Sequence, residues 1–225
     1  VRREIESALG ELGDVDVVVY EPTGAYQNAP KRAGLESLTP ARALIAEMVR
    51  RYSVLGLECT NLEVQKLAWF LHRAIGSLAL PDPLDLRFTA NKYGPYADRL
   101  RHLLEGLDGS YLHCEKRLND AGPFDLIWFE DSKREAVSTY LRSADANQYV
   151  PALEQATTVI DGFESPLGME LLATIDWLLV HSSVERSVSA IKAALRSWAG
   201  GKTAAARKLK LFDDRLLSLA LARLT

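Results

Sequence analysis

The residues with the most chemistry to offer lie between Glu105 and Asp131. Seven acids, Glu105, Asp108, Glu115, Asp120, Asp125, Glu130 and Asp131, stand there against two bases, Lys116 and Arg117. Tyr111, Phe124, Trp128 and Phe129 are interleaved with them. Carboxylates beside aromatic rings imitate the two things a nucleic-acid groove recognises, negative charge and stackable faces. An irregular loop with ordinary core aromatics would show the same composition. The opposite sign prevails at the far end, where nine bases from Arg186 to Arg223 stand against Asp213 and Asp214. Such a basic end suits either contact with nucleic-acid phosphates or a solvated helix pair. The net charge of −3 is therefore a cancellation.

Signature motifs of catalysis do not occur. There is no GxGxxG or GxxxxGK[ST] phosphate loop, and Gly200-Gly201-Lys202 is an isolated pair of glycines before a helix. Nucleophile-elbow, HExxH and CxxC patterns are missing too. His72, His102, His113 and His181 fall on different elements. His113-Cys114 is the one adjacent pair of candidate metal ligands, with no second pair at metal-site spacing. Cys114 fits either a nucleophile paired with a distant histidine or a half-buried thiol. Adjacent acids such as Glu130-Asp131 read as solvated faces. No catalytic residue, cofactor or metal is assigned, and the chain is expected not to be an enzyme.

The elements that must position these residues follow from periodicity. With 225 residues, 48% hydrophobic and 25% charged, the chain has the balance of a soluble globular protein. No apolar run approaches the ~20 residues of a membrane span. Two cysteines, Cys59 and Cys114, make no disulfide framework and fit reduced thiols in a cytoplasmic protein. Thr39-Pro40 caps a helix over Ala41–Tyr52. Thr60 with Glu63 forms a capping box for a helix over Leu62–Ile75. Leu84–Ala90 alternates like a short strand, and Pro95 sits where a helix running to Gly106 should start. Ser132–Leu141, Val150–Phe163, Pro166–His181, Val184–Trp198 and Leu209–Leu224 read as five more helices. The fold class is mainly α, a multi-helix globular domain with a small β element.

The first residues differ in kind. Arg2–Leu12 is amphipathic, and Val15–Tyr20 reads as a buried strand, together the second half of a βαβ unit with no sheet to join. Residues 22–37, with Pro22, Gly24, Pro30 and Gly34, read as a linker. The chain opens on Val1 and reads as a piece of something longer.

Three stretches carry a family resemblance: Val15–Pro22, Leu38-Thr39-Pro40-Ala41-Arg42-Ala43-Leu44, and Glu63–Phe70 followed by Leu86–Ala97 with its Lys92-Tyr93-Gly94-Pro95-Tyr96 core. Their order resembles the C-terminal part of DarG-type DNA ADP-ribosyl glycohydrolase antitoxins, bacterial partners of DarT-type toxins. The QKL and KYGPY pieces are also similar to SocA-like (Panacea) antitoxin domains. The resemblance implies a macrodomain remnant at 1–21, a linker at 22–37 and a helical toxin-binding domain at 38–225. It implies that the longer protein removes ADP-ribose from thymidine in DNA, and that DNA is met only indirectly, through the toxin or the macrodomain. The expected toxin-facing residues are Lys92, Tyr93, Tyr96, Glu115, Asp120, Asp125, Trp128, Glu130 and Asp131. Gln65 and Lys66 are expected on a polar face beside them, with Trp69 in the packing.

Overall fold

The computed structural model describes residues 37–53 and 59–224. The expected helix at Arg2–Leu12, the strand at Val15–Tyr20 and linker residues 22–36 lie outside the described residues. Among the described residues the chain forms nine α-helices: α1 (Pro40–Ser53), α2 (Asn61–Ser77), α3 (Leu100–Leu107), α4 (Arg134–Leu141), α5 (Val150–Ile160), α6 (Pro166–His181), α7 (Val188–Arg196), α8 (Lys202–Leu211) and α9 (Asp214–Arg223). Five short strands join them: β1 (Cys59–Thr60), β2 (Thr89–Asn91), β3 (Gly94–Tyr96), β4 (Leu112–His113) and β5 (Leu126–Phe129). The protein is mainly α with a small β element, as its periodicity indicates.

α2 is the axis of the fold. Every residue from Leu62 to Leu71 is buried, polar ones included, so this helix has no solvated face over three turns. α1, α5 and α6 pack around it. Its start is built as the spacing of Thr60 and Glu63 requires: the Thr60 backbone N–H and hydroxyl both donate to the Glu63 carboxylate at 2.7 Å. Glu63 is fully buried and also accepts the Tyr52 hydroxyl from α1. α6 opens in a similar way, with the Ser165 hydroxyl accepting from Gly168 N–H and proline at the first helical position.

The two β pieces frame the site. β5 lies between β1 and β4, antiparallel to both, with Cys59 opposite Ile127 and Leu112 opposite Phe129. β2 and β3 form a separate antiparallel hairpin with Asn91 opposite Gly94, leaving Lys92-Tyr93 as a two-residue turn. Gly94 has φ +99°, and a Cβ there would lie 3.0 Å from Thr174 Oγ1 on α6. Only glycine closes the hairpin this tightly against the helix.

Several expected boundaries move. Pro95 starts no helix: it sits in β3, and α3 begins at Leu100. A proline φ near −65° serves an extended chain as well as a helix, and tertiary bonds to residues 95–97 decide for the former. Of Leu84–Ala90 only Thr89 and Ala90 enter a ladder, while Leu84 and Leu86 are buried by irregular chain. The tail is two helices, because Phe212 turns into the core and Asp213 caps a new start, accepting from Leu216 N–H at 2.8 Å.

Candidate functional site

The hairpin is held from below by two side chains of α2. Gln65 pairs with the Ala97 backbone, its Oε1 accepting from the N–H at 3.0 Å and its Nε2 donating to the carbonyl at 3.3 Å. Lys66 Nζ donates to the Pro95 carbonyl at 2.7 Å. Both side chains are buried, Lys66 with 2% of its surface exposed. The expectation of a polar face at Gln65 and Lys66 is thus corrected: their amide and ammonium satisfy backbone groups that a non-helical 95–97 segment would otherwise leave unpaired. Trp69 is in the packing as expected, with Nε1 donating to Asp176 Oδ2 at 2.9 Å.

Above this clamp stands the hairpin tip. Lys92 is exposed, its ammonium 5.0 Å from the centre of the Tyr93 ring. Arg207 of α8 lies 5.1 Å from the same ring. Tyr93 meets Phe124 edge to face at 5.5 Å, and Tyr96 is half-buried with its hydroxyl towards Asp98. The Tyr93–Phe124 contact joins the KYGPY turn to the 121–125 loop, a pairing that sequence spacing does not display. That loop is itself tied to α2: Asn61 and Leu62 N–H groups donate to the Asp125 and Pro123 carbonyls, at 3.0 and 2.8 Å.

From Phe124 an aromatic strip runs along the outward face of β5. Alternation puts Ile127 and Phe129 into the core and leaves Leu126 and Trp128 outside. Phe124 is 58% exposed and Trp128 44%. Trp128 stacks on His113 of β4, ring centres 6.0 Å apart.

The acids around this strip are less free than their number suggests. Both Asp125 oxygens take the Lys116 ammonium, at 3.0 and 2.8 Å, and Oδ2 also accepts from Gly122 N–H. These bonds, Lys116 first, hold its carboxyl below the usual range. Glu130 caps the following turn by accepting from Ser132 N–H and pairs with His113 Nε2 at 3.0 Å; the Ser132 bonds lead in lowering its pKa. Asp131 lies 3.4 Å from Arg134. Glu115 and Asp120 are exposed on the connection between β4 and β5. The surface is aromatic first and acidic second.

The basic end turns one of its charges, Lys208, fully inward, while Arg186, Arg196, Lys202, Lys210 and Arg215 stay exposed. Lys208 is fully buried and, with Arg207, grips Glu170 of α6, every N–O distance between 2.6 and 2.8 Å. Lys192 pairs with Asp214, and Arg223 Nη1 donates to the Thr158 carbonyl. The cysteines are free and buried, and burial leads in pushing the Cys114 thiol up, away from the thiolate a nucleophile needs. Among the described residues no three histidines, cysteines or acids cluster as a metal site would require. No helix among them is long and apolar enough to cross a membrane.

A mainly helical domain thus presents an aromatic strip beside a clamped hairpin. Comparison with known proteins gives the relationship. No family model matches the chain. Proteins named DNA ADP-ribosyl glycohydrolase do: those of Mycobacterium tuberculosis and Mycobacterium bovis are each 32% identical over 240 residues, covering 100% of this chain. The protein of that name from Thermus aquaticus is 33% identical over 203 residues, 88% of the chain. The chain spans 63% of the mycobacterial relatives and 52% of the Thermus one. It is related to these proteins, in keeping with the DarG-type resemblance of its sequence. One expectation is overturned here. The relatives matching this chain end to end carry an enzyme's name, so the reading of the chain as a non-enzyme does not stand. A survey of signature motifs detects only those chemistries that have a signature.

Proposed function

We propose that residues 38–225 are an antitoxin domain that binds a cognate DarT-type DNA ADP-ribosyltransferase and inhibits it by standing in for single-stranded DNA. Residues 1–21 would then close a macrodomain, and 22–37 would link it to the binding domain. The longer protein would also remove ADP-ribose from thymidine in DNA, a reading supported as far as the relatives' name, DNA ADP-ribosyl glycohydrolase, reaches. The observation that carries the binding reading is the outward strip of Phe124, Leu126 and Trp128, continuous through Tyr93 with the hairpin tip. Exposed aromatics of this kind are the side chains that anchor protein interfaces. They also offer what bases offer a stacking groove. Glu115, Asp120 and Asp131, exposed around them, supply negative charge where DNA would place phosphates.

The test is co-purification with the cognate toxin, followed by toxin modification of a single-stranded oligonucleotide with and without this chain. Inhibition that is lost when Phe124 and Trp128 are replaced by alanine supports the reading. Full inhibition by that double variant sinks it.

A further inference from the structure

Beneath the hairpin lies a cleft of about 260 Å³ between α2 and β2–β3. Asn61, Gln65 and Lys66 form its floor, and Lys92, Tyr93 and Tyr96 its walls. No carboxylate lines it. Two of its polar groups are short of partners. An ammonium carries three N–H bonds, and among the described residues Lys66 Nζ has one acceptor, the Pro95 carbonyl. Asn61 donates through Nδ2 to the Ala121 carbonyl, but its buried Oδ1 accepts from nothing.

The charges behind the floor do not balance either. Lys66, Arg207 and Lys208 share one acid, Glu170, and that acid is already bonded to Arg207 and Lys208. Buried charge demands a counter-charge or the loss of a proton. The charges acting on Lys66 are Glu170 from α6 and Lys208 from α8; Thr174 of α6 lies beside it under Gly94, and Lys92, Tyr93 and Tyr96 of the hairpin line the same cleft. Glu170 is the one acid among them, and it is already bonded to Arg207 and Lys208.

We propose that this cleft binds a phosphorylated pentose, its phosphate accepting from Lys66 and Lys92 and a sugar hydroxyl donating to Asn61 Oδ1. A phosphate provides the absent anion, and a hydroxyl provides the donor that Asn61 lacks. The cleft sits just below the roughly 300–1,000 Å³ of most small-molecule pockets, a size that suits a ribose phosphate. Burial, and behind it Lys208, lowers Lys66 to about 7 in the empty cleft, so an arriving anion should draw a proton onto it. Binding to the cleft does not depend on the toxin-binding reading, because it is measured on this chain alone.

The experiment is titration calorimetry with ribose 5-phosphate and with adenosine 5′-monophosphate, using ribose and sulfate as controls. Ribose 5-phosphate should bind more tightly than sulfate, and ribose should not bind. The nucleotide arm shows whether the pentose phosphate is accepted free or as part of a nucleotide. K66M should weaken binding at least about tenfold, the loss of one charge-assisted pair. K92A, a change on an exposed side chain that leaves the fold intact, should weaken it severalfold. At pH 8 a phosphomonoester is fully ionised, so proton uptake, read from enthalpies in buffers of different ionisation heat, should occur in the wild type and vanish in K66M. Absence of binding at millimolar ribose 5-phosphate, equal binding of sulfate, or undiminished binding in both variants would overturn the proposal.

Discussion

Between residues 105 and 131 the chain turns Phe124, Leu126 and Trp128 out to solvent, whereas from residue 198 onward it turns Trp198, Lys208 and Phe212 in. The two regions carry opposite excesses of charge in sequence, and from composition alone either could be the interaction surface. Their packing separates them. In the middle region the core takes Ile127 and Phe129 and leaves the alternate side chains of β5 outside. At the end, Lys208 reaches through the α6–α8 contact to Glu170 and Thr174, and Trp198 Nε1 donates to the Asn91 carbonyl. A run of like charge is therefore a poor guide to a surface: what matters is whether each charge meets a partner inside the fold. Here the basic end braces the hairpin from behind while the middle presents itself.

That contrast can be broken most forcefully at Glu170. Replacing it with alanine strands the buried Lys208, a change that costs about 3–5 kcal/mol for buried pairs, and leaves the part-exposed Arg207 without its acid. Urea unfolding should show that loss; a near-native midpoint would mean that the inward charges are solvated. The counterpart on the outward side is Trp128→Ala with Phe124→Ala. Under the proposed function, affinity for the toxin should fall by about 2 kcal/mol or more, the range of interface anchors. Stability should change less than affinity, since Phe124 is 58% and Trp128 44% exposed. Equal losses in stability and affinity would erase the distinction between the regions.

A smaller effect belongs to Lys66. Its folded value near 7 lies below the ordinary 10.5, so between those values the unfolded chain binds the extra proton. Stability should therefore rise as pH increases from about 7 to about 10. Below that window the cost of burying the charge is fully present; above it the cost is gone. Lys66→Met should flatten this part of the curve, and an unchanged slope would show that another group produces it. Least of all should be the effect of the exposed acids. Changing Glu115, Asp120 and Asp131 together to amides should slow toxin association and reduce its salt dependence, with a modest change in affinity. Stopped-flow mixing at two ionic strengths checks this. If the affinity collapsed instead, the acidic rim and not the aromatic strip would be the anchor.

Much of this was legible in the residues. Thr60 and Glu63 announce the start of α2, and Pro166 that of α6, whereas Leu126 to Phe129 are all apolar and only packing sorts them into two faces. The helix starts are local signals, and local bonds honour them. Pro95, Gln65 and Lys66 were misplaced because their environment comes from far along the chain. Lys66 meets Pro95 29 residues away, and Lys208 meets Glu170 38 residues away. A polar residue on a helix looks solvated until the backbone it serves is known.

The sequence by itself determined the helical class, most helix starts and the kinship with proteins named DNA ADP-ribosyl glycohydrolase. Capping, glycine conformation and hydrophobic period act within a few residues, so they can be read in order along the chain. Only the tertiary structure decided that Gln65 and Lys66 are buried clamps, that Phe124 touches Tyr93, and that Lys208 of the basic end is buried against Glu170. Those outcomes depend on which polar groups find partners once water is excluded, and that is settled only when distant segments meet.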